Sequence, residues 1–538
     1  MRVFGVARHV AEWSLESQVS RSDPWMETSV TVEVSSADGR RWRLPAFWAG
    51  GQEWRVRFAP PVEGEYRFRT SCADAHDHGL HGREGTLVVA PFEGSRNPLL
   101  EHGPVRIARG GRHFEHEDGT PFFWMGDTWW MVMSNRISWP DGFRTLVADR
   151  AAKGFTVVQT VVGFPPDTTP FDGRESNEGG PPWEPGYARI NPAYFDAVDV
   201  RIEWLVRSGI LPCILGSWGY HLLFMGEERM RAHWRYLVAR YGAYPVVWCL
   251  AGELAMSYYL SKDREGDSRA LKAAWTRLAR AVRETDPFSR PLSIHPRCAS
   301  WDDLDDPEVV DFHMLQTGHI PPSSLERGVS LLEEARRRWP SKPVVLAEPP
   351  YEGHMGSNWC DVQRYAFWSA MLSGASGFTY GAAGIFQAND RERPTGDRPD
   401  GGAFDATFWD EAIGFPGARQ LGAAKKLLSA LPFHRFEPHP EWIELGVRWG
   451  AELYRPAYRV YAAGIPGECR VAYLPMRYYH WDGPLVRAIE RDVRYRARYV
   501  EPESFTVVDL GSVEPSADGT WRAPTLPTLH DWVLVLVR

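Results

Sequence analysis

A long middle stretch of this chain alternates short apolar segments with amphipathic ones, and this alternation most constrains its fold. From about residue 104 to 430, eight strand-like segments are separated for the most part by helix-like ones. The pattern is typical of βα units. The predicted strands are Phe122–Gly126, Phe155–Val162, Leu211–Leu215, Val246–Ala251, Leu292–His295, Asp311–Gln316, Pro343–Ala347 and Gly377–Tyr380. The predicted helices include Arg144–Lys153, Tyr194–Ser208, Glu227–Arg240, Arg269–Arg283 and Leu325–Arg338.

Eight such units favour an α/β fold of the (β/α)8 TIM-barrel type. The competing fold is a doubly wound sheet, which carries a Gly-rich phosphate-binding turn after its first strand. Neither GxGxxG nor GxxxxGK[ST] occurs there. The segments on both sides of the barrel are short strands separated by turns. We therefore predict an N-terminal β-sandwich over residues 1–92, a catalytic barrel over 98–432 and a C-terminal β-sandwich over 433–538.

Composition and charge narrow the class of partner. The net charge is −8, so no broad cationic surface for nucleic acid is expected. The chain has 25 Trp, 20 Tyr and 25 Phe, and such rings stack against sugars as well as filling cores. No apolar run approaches the ~18 residues of a membrane span, and the first residues do not resemble a secretory signal. We expect a cytoplasmic protein with a carbohydrate partner, and a homo-oligomer is compatible with this sequence.

Two glutamates end predicted strands of the barrel, where this fold places its chemistry. Glu253 follows the fourth strand and Glu348 ends the seventh. These strands lie across the barrel from each other, so the two carboxylates can flank one bond. Glycoside hydrolysis needs such a pair, one protonated and one ionised; a spacing of about 5 Å indicates a retaining mechanism and a wider one an inverting mechanism. The alternative is that both glutamates are solvated or cap helices.

Other polar and aromatic residues near strand ends are expected to bind the sugar. They are Asp127, Trp129, Gln159, Trp218, His221, His295, His319, Tyr351, Glu352 and Tyr380. Asp127 could instead cap the segment that follows it, and Glu352 could replace Glu348 as the nucleophile. The histidines lack HExxH or HxH spacing, and the six cysteines form no CxxC pair. No metal and no other cofactor is implied.

At these residues the chain resembles a known family. Its segments FFWMGDTWW, ADRAAKGFTVVQ, VVWCLAGE and KPVVLAEPPYEG are similar to those of the apiosidase-like glycoside hydrolase family, whose catalytic domain is a (β/α)8 barrel. FWAGGQEWRVRFAPPVEGEYRFRT resembles the DUF5060-type β-sandwich often found ahead of that barrel. VAYLP and HDWVLVLVR resemble the collagen-binding-type β-domain often found behind it. The resemblance implies Glu348 as the nucleophile and Glu253 as the acid/base, where members related to apiosidases often carry Asp.

The hypothesis from the sequence is a retaining glycoside hydrolase, exo-acting on a terminal furanose or similar sugar of a glycan or glycoside. Glu253 would protonate the leaving oxygen, with its pKa raised by burial on the Trp248 side and by the charge of Glu348. Glu348 would attack the anomeric carbon. Two alternatives stay open: an endo-acting glycanase of the same fold, and a carbohydrate-binding protein without catalysis.

Overall fold

The computed structural model describes residues 1–404, 406–444, 459–475 and 483–538. The N-terminal elements are β1 Arg2–Val6, β2 Ala11–Glu16, α1 Pro24–Glu27, β3 Val30–Ser36, β4 Arg41–Pro45, β5 Phe47–Gly50, β6 Glu53–Phe58, β7 Gly64–Cys72 and β8 Glu84–Ala90. They form a five-stranded sheet, β1-β8-β7-β3-β4, and a three-stranded sheet, β2-β6-β5. In β7 the buried and exposed residues alternate from Tyr66 to Cys72, as expected for a strand with one face towards a core.

A small antiparallel sheet, β9 to β11, leads into the barrel. The elements of this region are α2 Pro98–Glu101, β9 Val105–Ile107, β10 Phe114–His116 and β11 Pro121–Phe122, followed by the barrel strands β12 Trp124–Thr128, β13 Val157–Phe164, β14 Leu211–Trp218, β15 Val247–Gly252, β16 Leu292–Ser293, β17 His313–Gln316, β18 Val344–Glu348 and β19 Gly377–Tyr380. The first barrel strand begins two residues later than predicted, because Phe122 pairs with Phe114 in the preceding hairpin.

Eight parallel strands form one sheet in the order β16-β15-β14-β13-β12-β19-β18-β17. All residues of β13 and β14 are buried, because parallel strands are covered on both faces. The sheet is nearly closed. Between β16 and β17 there is no ladder, but Asp311 N donates to Leu292 O at 2.8 Å and Ser293 Oγ donates to Phe312 O at 2.7 Å. The predicted α/β fold of the TIM-barrel type, with β-domains on both sides, is confirmed.

The helices follow the predicted segments, with small differences at their ends. They are α3 Asp141–Ala152, α4 Pro192–Arg207, α5 His221–Met225, α6 Glu227–Tyr241, α7 Arg264–Thr285, α8 Ser323–Arg338, α9 Cys360–Leu372, α10 Trp409–Ala412 and α11 Pro416–Ser429. The longest, α7, begins at Arg264 because the side chain of Asp263 accepts a hydrogen bond from Gly266 N and caps the helix there. None of the helices in the described ranges has the length and apolar character that a membrane crossing requires.

The C-terminal residues form two further sheets, ordered β20-β22-β23-β28-β25-β26 and β21-β24-β27. Their strands are β20 Glu437–Pro438, β21 Ile443–Glu444, β22 Tyr461–Ile465, β23 Cys469–Leu474, β24 Leu485–Val486, β25 Arg496–Val500, β26 Val507–Ser512, β27 Trp521–Arg522 and β28 Trp532–Val537. The predicted strands Cys469–Leu474 and Trp532–Val537 have these bounds, and Phe505–Leu510 is shifted by two residues. The predicted strand Tyr458–Ala462 starts outside the described residues. The three domain boundaries stay predictions.

Both β-regions are joined to the barrel by buried ion pairs. On the N-terminal side, Asp199 of α4 accepts hydrogen bonds from Arg57 of β6 at 3.2 Å and from Arg240 of α6 at 2.8 Å. Burial raises the pKa of Asp199, but the charges of the two guanidinium groups outweigh it and lower that pKa. On the C-terminal side, Arg364 of α9 binds both carboxylate oxygens of Asp531 at 2.8 and 3.0 Å.

Candidate active site

Glu253 lies directly after β15, with the positive backbone angle φ of 38°, and such strained positions concentrate at functional sites. Its carboxylate accepts two hydrogen bonds, from Trp218 Nε1 to Oε2 at 3.3 Å and from Gln316 Nε2 to Oε1 at 3.1 Å. The preceding Gly252 allows this arrangement, since a Cβ there would lie 2.1 Å from the Trp218 ring. The residue before Glu253 is therefore small because the indole must approach it.

Burial and the nearby charge of Glu348 raise the pKa of Glu253 to about 7, while the hydrogen bond from Gln316 acts in the opposite direction. The expectation that Trp248 buries this carboxyl was wrong. The Trp248 indole donates to Asp286 Oδ2 at 2.9 Å and packs against Trp234 of α6, because alternate residues of β15 point outward to the helices. Trp218 instead contacts Glu253.

Glu348 ends β18 and is only 5% exposed. His295 Nε2 lies 3.3 Å from Oε2, and His319 Nε2 lies 3.2 Å from Oε1. Since Tyr351 N donates to His319 Nδ1 at 3.2 Å, that nitrogen carries no proton and Nε2–H is the donor to Glu348. Burial raises the pKa of Glu348, but the contacts of its carboxylate with His295 and His319 outweigh burial and hold the pKa well below its ordinary value.

Aromatic rings line the space beside the two carboxylates. Tyr351 is buried next to His319, with ring centroids 4.6 Å apart. Burial, followed by the charge of Glu348, raises the pKa of Tyr351 well above its ordinary value. Trp130 lies edge-on to Trp218 at 5.3 Å and to His295 at 5.1 Å. It therefore contacts residues on both sides of the carboxyl pair.

Sequence reasoning did not single out Trp130 or Gln316 as site residues. Signals for both were present, since Trp130 is part of the run after the first strand and Gln316 ends the sixth. Their neighbours were equally plausible, because a strand-end position does not say which of two adjacent side chains turns inward.

Asp127, Trp129 and Gln159 lie inside the barrel wall and make internal hydrogen bonds. Asp127 accepts from Thr128 N at 2.9 Å, from Trp129 Nε1 at 2.8 Å and from Arg150 Nε at 2.6 Å. Gln159 Nε2 donates to Ala347 O at 3.1 Å. These contacts match the alternative in which Asp127 organises its own segment, and a role of the three side chains in sugar binding stays a prediction.

Glu352 is oriented towards other partners than those of Glu348. Its Oε2 accepts from Tyr380 Oη at 2.5 Å, and its Oε1 accepts from Gly417 N at 3.1 Å. Gly417 lies in the first turn of α11, whose free N–H groups favour a carboxylate. Glu352 and Tyr380 thus form a buried pair that joins the loop after β18 to a helix, and Glu352 shares no hydrogen bond with Glu348.

His221 begins α5 and is fully buried. Its Nε2 lies 3.2 Å from Pro165 O, so the ring ties α5 to the loop after β13. Burial lowers the pKa of His221 to about 3, which keeps the ring neutral near pH 7. The predicted sugar contact of this histidine stays a prediction.

Asp167 is a third acidic residue near the carboxyl pair, and sequence reasoning missed it. It is buried in the long loop after β13 and accepts a hydrogen bond from Tyr259 Oη at 2.5 Å. Burial raises its pKa to about 6, and the charge of Glu348 adds to the rise. No periodicity governs the path of a long loop, so its sequence gave no signal for this position. Among the described residues, no group of three or more His, Cys, Asp or Glu could hold a metal ion.

Comparisons with known proteins show the family and the fold of this chain. The model of the apiosidase-like catalytic domain matches residues 108–435, and that of DUF5060, a domain of unknown function, matches residues 8–73. No curated protein gives a significant match. The chain is similar to a solved glycoside hydrolase at 20% identity, with 83% of this chain and 98% of that one covered and a TM-score of 0.64.

Two solved structures from Bacteroides vulgatus ATCC 8482 are also similar in fold. A family 5 glycoside hydrolase is 21% identical over 83% of this chain and 94% of that one, with a TM-score of 0.63. A proposed glycoside hydrolase is 19% identical over 99% of each chain, with a TM-score of 0.68. These likenesses support the barrel with its flanking sheets, and the family model covers more than half of the sequence. The chain belongs to the apiosidase-like glycoside hydrolase family.

Proposed function

We propose that this glycoside hydrolase works by a retaining, two-step mechanism, with Glu253 as the acid/base and Glu348 as the nucleophile. The observation that supports an acid paired with an anion is the opposite direction of the two pKa shifts. The retaining course, rather than inversion, is inferred from the apiosidase-like family. The pKa of Glu253 is raised to about 7, whereas the pKa of Glu348 is held well below its ordinary value. One group can therefore give a proton near pH 7 while the other is an anion.

In the first step, a carboxylate oxygen of Glu348 forms a bond to the anomeric carbon. The glycosidic C–O bond breaks, and the leaving oxygen takes the proton of Glu253, so that the aglycone departs as an alcohol. In the second step, the Glu253 carboxylate takes a proton from water. The water oxygen attacks the anomeric carbon and releases Glu348 as a carboxylate. The second step returns both groups to their starting protonation states.

We further propose exo action on a terminal furanose or similar sugar. The Tyr259–Asp167 hydrogen bond joins the loops that follow β15 and β13, and such a link favours a closed pocket over an open cleft. The choice of a furanose as the substrate is supported only by membership of the apiosidase-like family. Internal cleavage of a long glycan is the alternative, and the distribution of products separates the two: an exo enzyme releases one size of small sugar from the first minutes.

The test is a panel of 4-nitrophenyl pentofuranosides, pentopyranosides and hexopyranosides. On the active member, Glu348→Gln should lose more than 10³-fold in kcat. Glu253→Gln should lose most activity on poor leaving groups, which depart only when protonated. On the 4-nitrophenyl glycoside, whose leaving group needs no proton, added azide should replace water in the second step, raise the rate and give a glycosyl azide that keeps the anomeric configuration of the substrate. Inversion of configuration would refute the retaining mechanism. If no glycoside of the panel releases 4-nitrophenol but the protein binds glycans, the protein is a carbohydrate-binding protein without catalysis.

A further inference from the structure

An exposed apolar patch lies on the rim of the barrel beside Glu253. Phe224 of α5 is 42% exposed, and Tyr258, whose ring contacts that of Phe224, is partly exposed. Single apolar side chains on a surface are ordinary, but a contiguous group marks a binding surface. We call Tyr220, Phe224, Tyr258 and Tyr259 the aromatic rim.

The rings of the aromatic rim hold one another in a fixed arrangement. Phe224 and Tyr258 meet edge-on, with centroids 5.0 Å apart at 83°. Tyr258 also packs on the fully buried Tyr220 at 5.2 Å. Tyr259 is held by its hydrogen bond to Asp167. The exposed pair, Phe224 and Tyr258, thus rests on two rings that are themselves fixed, so little freedom is lost when a ligand binds.

Both exposed rings are attached to the segments that hold Glu253. Phe224 lies six residues after Trp218, whose indole donates to the Glu253 carboxylate. Tyr258 lies five residues after Glu253 itself, beyond a turn in which Met256 N donates to Glu253 O at 2.7 Å. The residues that bind Glu348, His295 and His319, belong to other loops. The aromatic rim therefore lies on the acid/base side of the carboxyl pair.

The chemistry of the reaction assigns a ligand to that side. A general acid must lie within hydrogen-bond reach of the oxygen that it protonates, so the leaving group extends from Glu253 and away from Glu348. Building on the proposed function, we propose that Phe224 and Tyr258 form the subsite for the leaving group, a sugar ring that presents a C–H face to these side chains. The enzyme would then prefer glycosides whose aglycone is a ring over those with small leaving groups.

Turnover of two substrates that share a glycon but differ in leaving group tests this subsite. The probes are the active 4-nitrophenyl glycoside of the panel and the glycosyl fluoride of the same sugar, whose leaving group has no ring. Phe224→Ala and Tyr258→Ala should each lower kcat/KM for the 4-nitrophenyl glycoside roughly threefold to tenfold, since one aromatic contact has about this value. On the glycosyl fluoride, both variants should keep the wild-type kcat/KM. Equal losses on both substrates would overturn the proposal.

Control variants separate the lost ring from a damaged fold. Phe4→Ala removes a ring that is 68% exposed on β1, outside the barrel, and should change neither rate. Phe224→Leu keeps apolar bulk without a flat face and should lose activity on the 4-nitrophenyl glycoside as Phe224→Ala does. An unchanged thermal unfolding midpoint shows that each variant is folded.

A binding measurement decides the question without turnover. In saturation-transfer NMR with Glu348→Gln, the aryl protons of the 4-nitrophenyl glycoside should receive saturation, and they should lose it when Phe224→Ala and Tyr258→Ala are added. The sugar protons should keep theirs. A panel without any turnover would refute the proposed function alone. If the aryl protons receive the same saturation in Glu348→Gln with and without the two alanine substitutions, the proposed subsite is refuted.

Discussion

Glu253 and Glu348 carry the same side chain, and their surroundings separate the protonation states. Burial raises the pKa of both. The imidazole rings of His295 and His319 lie 3.3 and 3.2 Å from the Glu348 carboxylate and stabilise its charged form, whereas Glu253 faces the negative charge that results. The protonation state of one residue thus depends on the ionisation of the other. A substitution of either glutamate should therefore shift the pKa of the one that remains.

The pH dependence of kcat/KM follows from this pair. Because Glu253 must hold its proton in the first step, activity should fall as the pH rises through about 7, the pKa of this group. The acid limb should lie at low pH, since Glu348 stays ionised well below the ordinary range of a glutamate. The check is kcat/KM for the active glycoside across the pH range. A profile that rises through neutral pH would contradict the assignment of Glu253 as the acid.

Gln316→Leu should move the alkaline limb of that profile to higher pH. The Gln316 amide stabilises the charged form of Glu253 through its 3.1 Å hydrogen bond, so its removal favours the protonated form and raises the pKa. Leu has a similar volume and no donor. The matched control is Gln18→Leu, at an exposed residue of the N-terminal region, which should leave the limb in place. A shift of the limb to lower pH would refute this role.

At the residue scale, the sequence was sufficient to predict both candidate carboxylates, because a buried strand determines where its last side chain lies. It was not sufficient for Asp167, which reaches the site from a loop after β13. It also grouped Asp127 with the sugar contacts, although a buried Arg150 donates to this carboxylate. Which partner an acidic side chain chooses depends on the packing of helices behind the strand, and periodicity does not encode that choice.

At the scale of elements, one carboxylate joins three parts of the fold. Asp199 of α4 binds Arg57 of β6 and Arg240 of α6, and Arg57 NH1 also donates to Arg240 O at 2.8 Å. The β2-β6-β5 sheet is therefore fixed to the outside of the barrel through buried cations. A buried ion pair adds little net stability, but the loss of one partner is costly because the other charge stays in place.

Asp199→Asn should lower the free energy of unfolding by about 3–5 kcal/mol, because it leaves Arg57 and Arg240 without their shared anion. Denaturant unfolding followed by circular dichroism measures this change. Glu12→Gln is the control, since Glu12 contacts the same Arg57 from a more exposed position and should cost no more than about 1 kcal/mol. Similar losses for the two variants would show that Asp199 is not the joining group.

The ends of the elements show what their sequence could not predict. The predicted start of α7 at Arg269 followed the apolar periodicity, but the Asp263 cap adds a turn at the N-terminus that has no apolar stripe. The first barrel strand was predicted from its apolar run, but Phe122 of that run belongs to a hairpin instead. Periodicity reports the buried face of an element and carries less information about its polar ends.

At the scale of the whole molecule, one apolar core runs through all three regions. Val32 of β3, Val157 of β13 and Val535 of β28 belong to the same contiguous cluster of buried side chains. On the C-terminal side, Trp368 of α9 stacks on Tyr473 of β23 at 12°, with centroids 6.1 Å apart. The Arg364–Asp531 pair lies beside them. The flanking sheets thus cover barrel helices that would otherwise expose apolar rings.

Thermal unfolding of the full chain should therefore give one calorimetric transition. Asp531→Asn should lower the midpoint of that transition without dividing it, because Arg364 contacts the barrel and the C-terminal sheet together. Ser516→Ala, in an exposed turn of the C-terminal region, serves as the control and should leave the midpoint nearly unchanged. A separate low-temperature transition in either variant would mean that the C-terminal sheets unfold independently.

The incomplete ladder between β16 and β17 connects catalysis with the integrity of the barrel. His295 follows β16 and reaches Glu348 on β18, while Gln316 on β17 reaches Glu253 after β15. These two contacts cross the gap in opposite directions, where β16 and β17 form no ladder. A bound glycoside that tightens them would also hold the two strand edges together. Hydrogen–deuterium exchange of the Asp311 amide, which donates across this gap, would then report occupancy of the active site.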